Sequence, residues 1–296
     1  MPRHTANDFH PEVMKLFDKY VHGIIDRRSF LNDAARYTAA GVSATALLEM
    51  LNPKFAEAQQ IKPDDARLVA KYAEYVSPDG YGNMKGYLVM PAKMTGKLPG
   101  VVVVHENRGL NPHTEDVARR LALEGFITFA PDALFPLGGY PGNEDKAREL
   151  FPKLEQAKSR NDFIAAAKFV KALPQCTGKV GTVGFCYGGS IANMLATQIP
   201  DLGAAVPFYG GQPKAEDAAK IKAPLMIQYA EKDERINAGW PAYETALKAA
   251  GVKYEMHMYP GTQHGFLNDT TPRFDKAAAE LAWKRTVDFF NKNLRG

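Results

Sequence analysis

The chain of 296 residues is 45% hydrophobic and 24% charged, with 37 Lys and Arg against 33 Asp and Glu. A formal charge of +4, spread without basic runs, argues against nucleic-acid binding. The two cysteines, Cys176 and Cys186, exclude a disulfide framework, and both are expected to be reduced.

In chain order, the first signal is Asp26-Arg27-Arg28-Ser29-Phe30-Leu31, which matches a twin-arginine export motif. A weakly apolar run over residues 37–51 and an Ala56-Glu57-Ala58 cleavage pattern follow it. Residues 1–58 are therefore expected to be an export signal, placing the mature protein in the periplasm. The alternative is a cytoplasmic protein that keeps these residues as a helical extension, docked on its own body or on a second copy in a homo-oligomer. Glu49 inside the apolar run and an amphipathic stretch at residues 13–20 speak for that alternative. The run is too short and too polar for a stable membrane span of about 20 residues.

Residues 59–296 read as one catalytic domain of alternating strands and helices. Strands are expected near 68–76, 84–90, 99–105, 126–130, 178–184, 203–208, 223–229 and 253–259. Helices are expected near 113–124, 143–172 with a break at Pro152, 187–199, 239–250 and 273–293. Gly80-Tyr81-Gly82-Asn83 marks a hairpin between the first two strands, so one antiparallel edge should flank a mostly parallel sheet. The fold class is α/β, a mostly parallel central sheet of about eight strands with helices on both faces.

The chemistry gathers where strands end. Val101 to Val104 form a β-branched run that reads as a central, doubly covered strand, and it leads into Glu106-Asn107-Arg108. Val180 to Phe185 run into Cys186-Tyr187-Gly188-Gly189, a strand, sharp turn and helix of the kind that lifts a nucleophile above a sheet. Free cysteine is also a common buried hydrophobe, so chain order carries the case: nucleophile, then acid, then histidine. Asp233 lies just past the next apolar strand and is preferred over Glu231 and Glu234. His264 follows the last strand, whereas His257 lies within that strand and His4, His10, His22, His105 and His113 all precede the acid. Cys186 would attack an acyl carbon, His264 would shuttle the proton, and Asp233 would orient the imidazole. The backbone N–H groups of Tyr187 and Asn107 would form the oxyanion hole. No metal-ligand spacing or phosphate-binding loop is visible, so neither a metal nor a cofactor is expected.

Several motifs recur in a set order: the valine run ending in Glu106, Phe129-Ala130-Pro131-Asp132, Gly184-Phe185-Cys186-Tyr187-Gly188-Gly189, Phe208-Tyr209-Gly210, the Asp233 loop and His264-Gly265-Phe266. This set resembles the dienelactone hydrolase family of carboxymethylenebutenolidases, within the α/β-hydrolase superfamily, and runs from about residue 65 to the C-terminus. The resemblance implies hydrolysis of an ester or lactone, with the family's glutamate, here Glu106, contacting the resting thiol and helping to form the thiolate. The chain departs from the dienelactone-specific enzymes where two arginines would hold a substrate carboxylate: it reads Ala133-Leu134-Phe135-Pro136 and Leu267-Asn268. Without those clamps the expected substrate is a neutral ester, lactone or thioester. Arg108 would offer a cation from another wall, and Phe135, Tyr140, Tyr209 and Phe266 would line the pocket. The reading from another class is a thiol-redox or ligand-binding protein on the same scaffold, which would need neither the acid nor the histidine.

Overall fold

The computed structural model describes residues 4–38 and 42–295. Strands β1 (Leu68–Ser77), β2 (Gly82–Pro91), β3 (Leu98–Val104), β4 (Ile127–Pro131), β5 (Cys176–Phe185), β6 (Ala204–Phe208), β7 (Leu225–Lys232) and β8 (Tyr254–Gln263) form one sheet. Their order is β1-β2-β4-β3-β5-β6-β7-β8. β2 runs antiparallel to both its neighbours, and every other pairing is parallel. The antiparallel edge follows from the tight turn at Gly82, whose φ of 83° suits a residue without a Cβ.

Helices α1 (Pro11–Val21), α2 (Arg27–Ala34), α3 (Ala44–Leu51) and α4 (Phe55–Ala58) precede the sheet. Helices α5 (Pro112–Leu123), α6 (Glu144–Leu150), α7 (Gln156–Ala172), α8 (Tyr187–Gln198), α9 (Glu234–Asn237), α10 (Trp240–Ala249) and α11 (Lys276–Leu294) are interleaved with it. Pro152 separates α6 from α7 through a short 3-10 turn at Phe151–Lys153, because proline cannot donate to the preceding turn. The short α9 had no periodic pattern long enough to show in the sequence.

The period of two along β3 builds the core. Val102 and Val104 face a layer with Phe163, Ala166 and Val170 of α7 and Ile191 and Leu195 of α8. Val101 and Val103 face the opposite layer with Val117 and Leu121 of α5 and Phe289 and Phe290 of α11. Burial on both faces explains why the strand reads as an unbroken apolar run.

The N-terminal helices have their own small core of Phe9, Val13, Met14, Phe17, Tyr20, Phe30, Ala34, Leu47, Leu48 and Leu51. Asp26 caps α2 by accepting from the Ser29 N–H at 2.7 Å, so the twin-arginine-like residues start a helix. Leu47, Leu48 and Leu51 turn inward while Glu49 stays exposed and pairs with Lys54, so α3 has an apolar stripe, not an all-round apolar surface. Residues 39–41 of the apolar run lie outside the described residues. Among the described residues no helix is long and apolar enough to cross a membrane.

This cap is tied to the chain's own body: Arg27 and Tyr20 both bond Asp145, Arg273 reaches Asp18, and the Lys54 N–H donates to the Thr270 carbonyl. Ten apolar side chains of the cap pack on one another, while Ile24, Tyr37 and Val42 stay exposed.

Close backbone approach sets one requirement at the site. A Cβ on Gly188 would sit 2.3 Å from the Val104 carbonyl oxygen and 2.7 Å from that of His105. Gly188→Ala is expected to lower stability by about 3 kcal/mol, because both obstacles are backbone of a packed strand end. Urea denaturation measures this, and an unchanged midpoint would show that the helix can retreat from β3.

Candidate active site

Cys186, Asp233 and His264 each follow the carboxyl end of a parallel strand, where open α/β sheets present loops to a ligand. Cys186 joins β5 to α8 with φ 56° and ψ −112°, and of the described non-glycine residues only it and Tyr209 have positive φ. Such a conformation is strained for a residue with a Cβ, and it lifts the thiol above the sheet. The Cys186 N–H donates to the Phe208 carbonyl at 3.1 Å, tying the turn to β6.

Past β7, Asp233 caps α9 with Oδ1, which accepts from the Ile236 N–H at 3.4 Å. Its Oδ2 accepts from His264 Nδ1 at 2.6 Å, and both side chains are buried. His264 Nε2 is left to face Cys186. Burial by itself would raise the Cys186 thiol and keep His264 neutral, but the mutual attraction of the pair outweighs it. With help from His22, the Cys186 pKa is lowered to about 6. The thiolate and the Asp233 hydrogen bond raise His264 to about 10. Both shifts run toward the charged forms, thiolate and imidazolium, because each group's charge stabilises the other.

The competing candidates are engaged elsewhere. Glu231 is exposed and accepts from the Gly261 N–H at 2.8 Å, and Glu234 points to solvent. His257 pairs with Glu255 at 3.3 Å on β8. His105 is fully buried, with Nδ1 on the Glu106 carbonyl and Nε2 accepting from the Ala133 N–H at 3.1 Å. Burial pushes its pKa down to about 4, so it stays neutral and braces two loops.

Glu106 lines the cleft, but the hydrogen bond of its carboxylate comes from Asn268 Nδ2 at 3.0 Å. The sulfur's partners are His264 and His22, not Glu106, which corrects the contact the family resemblance implied. Arg108 also lines the cleft and is held: its guanidinium donates to the Val21 carbonyl at 2.8 Å and to the Asn107 carbonyl at 2.9 Å, and lies 3.7 Å from Glu144. Asn107 Nδ2 donates to the same Val21 carbonyl at 2.9 Å. Tyr187 is the first residue of α8, where backbone N–H groups have no acceptor within the helix.

Four expected pocket residues pack on the core layers instead. Phe266 and Tyr209 are fully buried and do not line the cleft. Tyr209 packs beneath His264 with ring centroids 4.9 Å apart, and Phe266 lies against Tyr209 and Tyr259. Phe135 and Tyr140 pack against the other core layer. Aromatic side chains beside a catalytic loop are drawn into whichever apolar layer lies beneath it, which sequence position alone does not reveal.

Among the cleft residues that the sequence did not single out for the site are Arg273 and His22. Arg273 folds back from the loop after His264, reaching Asp18 at 3.4 Å and stacking over Phe17. His22, from the loop between α1 and α2, places Nε2 3.5 Å from Cys186 Sγ and 3.3 Å from His264 Nε2. Arg235 also reaches His22 Nε2, at 3.0 Å. The free volume left beside Cys186 is about 40 Å³, enough for a few waters. A larger hollow of about 330 Å³ between the β1 hairpin and α7 is lined by Ser77, Asp79 and Lys168 among others, with no cysteine or histidine beside them.

The second cysteine is out of reach. Cys176 opens β5 and Cys186 follows its far end, and ten residues of strand at about 3.3 Å each put the two on opposite edges of the sheet. Cys176 is buried in the core.

Comparison with known proteins follows the same division of the chain. The Dienelactone hydrolase family model matches residues 84–294, and a YqhI-like model matches residues 1–39. A "Putative carboxymethylenebutenolidase" of Escherichia coli (strain K12) is 32% identical over 245 residues, covering 78% of this chain and 89% of that protein. The "Putative hydrolase fragment YghX" of the same strain is 59% identical over 109 residues, 37% of this chain and 93% of that one. A crystal structure of a "Putative Dienelactone Hydrolase" from Klebsiella pneumoniae subsp. pneumoniae MGH 78578 superposes with a TM-score of 0.67 at 30% identity, covering 76% of this chain and 99% of that one.

Proposed function

Because the chain belongs to the dienelactone hydrolase family, and so is an ester hydrolase, we propose that it cleaves a small ester, lactone or thioester through Cys186, His264 and Asp233. The observation that carries this reading is the 2.6 Å Asp233–His264 hydrogen bond behind a cysteine lowered to about 6 at a strained turn.

In this mechanism the Cys186 thiolate attacks the acyl carbon, forming a carbon–sulfur bond while the carbonyl electrons move onto oxygen. The Tyr187 and Asn107 N–H groups receive that oxyanion. As the tetrahedral adduct collapses, the bond to the leaving oxygen or sulfur breaks and His264 gives it the Nε2 proton. Water then attacks the acyl-enzyme, His264 takes a proton from it, and the acid leaves as the thiolate re-forms. Asp233 keeps the Nδ1 proton in place throughout. Glu106, bonded to Asn268, faces the same cleft and disfavours an anionic substrate, while Arg108 and Arg273 are already committed to the cap. That balance supports a neutral acyl group.

Intact mass taken during turnover of a short-chain aryl ester tests the covalent step. The expected result is a transient adduct equal to one acyl group on the Cys186 peptide. A thiol that stays unmodified during steady turnover would remove Cys186 from the chemistry.

The N-terminal segment is proposed to be retained in the working protein, in preference to twin-arginine export. Support comes from His22, Arg27 and Asp18, which face the catalytic body from a cap with its own core. Mass of the protein isolated from its native cell is expected to include residues 1–58, and a chain beginning near residue 59 would restore the export reading.

A further inference from the structure

Three donor atoms from distant parts of the chain converge above the sheet. The Nε2 atoms of His22 and His264 are 3.3 Å apart, Cys186 Sγ is 3.5 Å from His22 Nε2, and all three lie within 4.8 Å of one another. Around a tetrahedral zinc ion, bond lengths of about 2.05 Å to nitrogen and 2.3 Å to sulfur set N···N near 3.3 Å and S···N near 3.5 Å. The two spacings agree with those of the protein.

The far side of each ring is arranged for the same purpose. His22 Nδ1 bonds the Asp18 carbonyl at 2.7 Å and lies 3.3 Å from the Asp18 carboxylate. His264 Nδ1 bonds Asp233. Metal-binding histidines almost always hold their other nitrogen this way, which fixes the ring and turns Nε2 toward the ion. A single proton can link only two of the three converging atoms, whereas a metal ion satisfies all three.

We propose that Cys186, His264 and His22 form a site for a zinc-class divalent cation that latches the N-terminal cap over the nucleophile and silences it. The nitrogen and thiolate donors select zinc and its borderline-soft neighbours over magnesium or calcium, which take oxygen ligands. On binding, sulfur and both Nε2 atoms each donate a lone pair to the ion, and protons held by Cys186 or His264 pass to solvent. The coordinated sulfur no longer attacks an acyl carbon. Arg235 now donates to His22 Nε2 from an exposed arm on α9 and swings into solvent as the ion enters. No local spacing in the sequence foretells the site, because its ligands are residues 22, 186 and 264.

The silencing rests on Cys186 being the nucleophile, but the binding does not, so the test reads binding without substrate. Chelator-treated full-length protein is titrated with zinc by calorimetry and with cobalt by absorbance. One equivalent is expected to bind, with a sulfur-to-cobalt charge-transfer band and tetrahedral ligand-field bands. His22→Ala should weaken zinc affinity by about 100-fold or more. Cys186→Ala should abolish the charge-transfer band in a protein that remains folded by circular dichroism. If His22→Ala loses its fold, His22→Cys serves in its place and should keep stoichiometric binding with a stronger thiolate band. Zinc should also inhibit ester hydrolysis reversibly, with activity returning on chelation. No stoichiometric binding, or binding without a thiolate band, overturns the proposal. So does zinc affinity unchanged by His22→Ala.

Discussion

Cys186→Ala is expected to lower kcat/KM for aryl ester hydrolysis by about 10⁴-fold or more, the scale seen when a triad nucleophile is removed. The reason is specific to this site. His264 is raised to about 10 by the Cys186 thiolate and Asp233, so without the thiolate it loses much of its proton affinity and becomes a weak base for water. The oxyanion donors and the cleft remain, which leaves a small residual rate. The variant should fold as the parent does, since Cys186 stands half-buried at the rim of one core layer and alanine keeps its Cβ there. Steady-state kinetics beside intact mass gives the readout, and a loss below tenfold would place the nucleophile elsewhere.

Asp233→Asn has the second largest expected effect, a fall of about 10²- to 10⁴-fold in kcat/KM, with the upper end being the loss known for the serine triad. The Asp233 Oδ1 position already accepts from the Ile236 N–H. An asparagine will keep its carbonyl oxygen there and turn its NH₂ toward His264. A donor facing Nδ1 forces the proton onto Nε2, leaving His264 unable to act as a base. The pH profile of Cys186 alkylation separates this from simple loss of structure. In the parent, alkylation should rise as pH passes about 6, where the lowered thiol ionises, and the imidazolium partner should be lost near 10. In the variant the thiol loses part of its stabilising charge, so the rise should shift to higher pH. An unshifted profile with activity within tenfold of the parent would make Asp233 a helix cap and nothing more.

The readable part of the site was the part whose geometry is local. A strand entering Cys186-Tyr187-Gly188-Gly189 specifies its own turn, because the glycines admit the close approach of α8 to Val104 and the positive φ falls on Cys186. Asp233 and His264 were legible for the same reason: each follows a strand, and parallel strands all end at one edge of the sheet. The family resemblance added Glu106 to the cleft and was corrected on its contact, since Asn268 takes the carboxylate.

What escaped were residues whose place depends on how separate pieces pack. Phe266 and Tyr209 looked like pocket walls from their position beside catalytic residues, yet both turn into the layer beneath His264. Arg108 and Arg273 bring two guanidinium groups to the cleft wall, both held by carbonyl or carboxylate groups of the cap. Asp26-Arg27-Arg28-Ser29 reads as an export motif in one dimension and starts a capped helix in three.

By itself the sequence determined the α/β class, the strand order along the chain, the sharp turn at Cys186 and the placing of Cys186, Asp233 and His264 each after a strand. Each of these depends on residues within a few positions of one another, where periodicity and glycine placement carry the information. Only the tertiary structure decided that His22 meets Cys186 and His264, and that Arg108 and Arg273 are spent on the cap. Those outcomes come from docking a helical cap with its own core onto a finished sheet, a long-range fit of shape and charge that leaves no periodic mark on the chain.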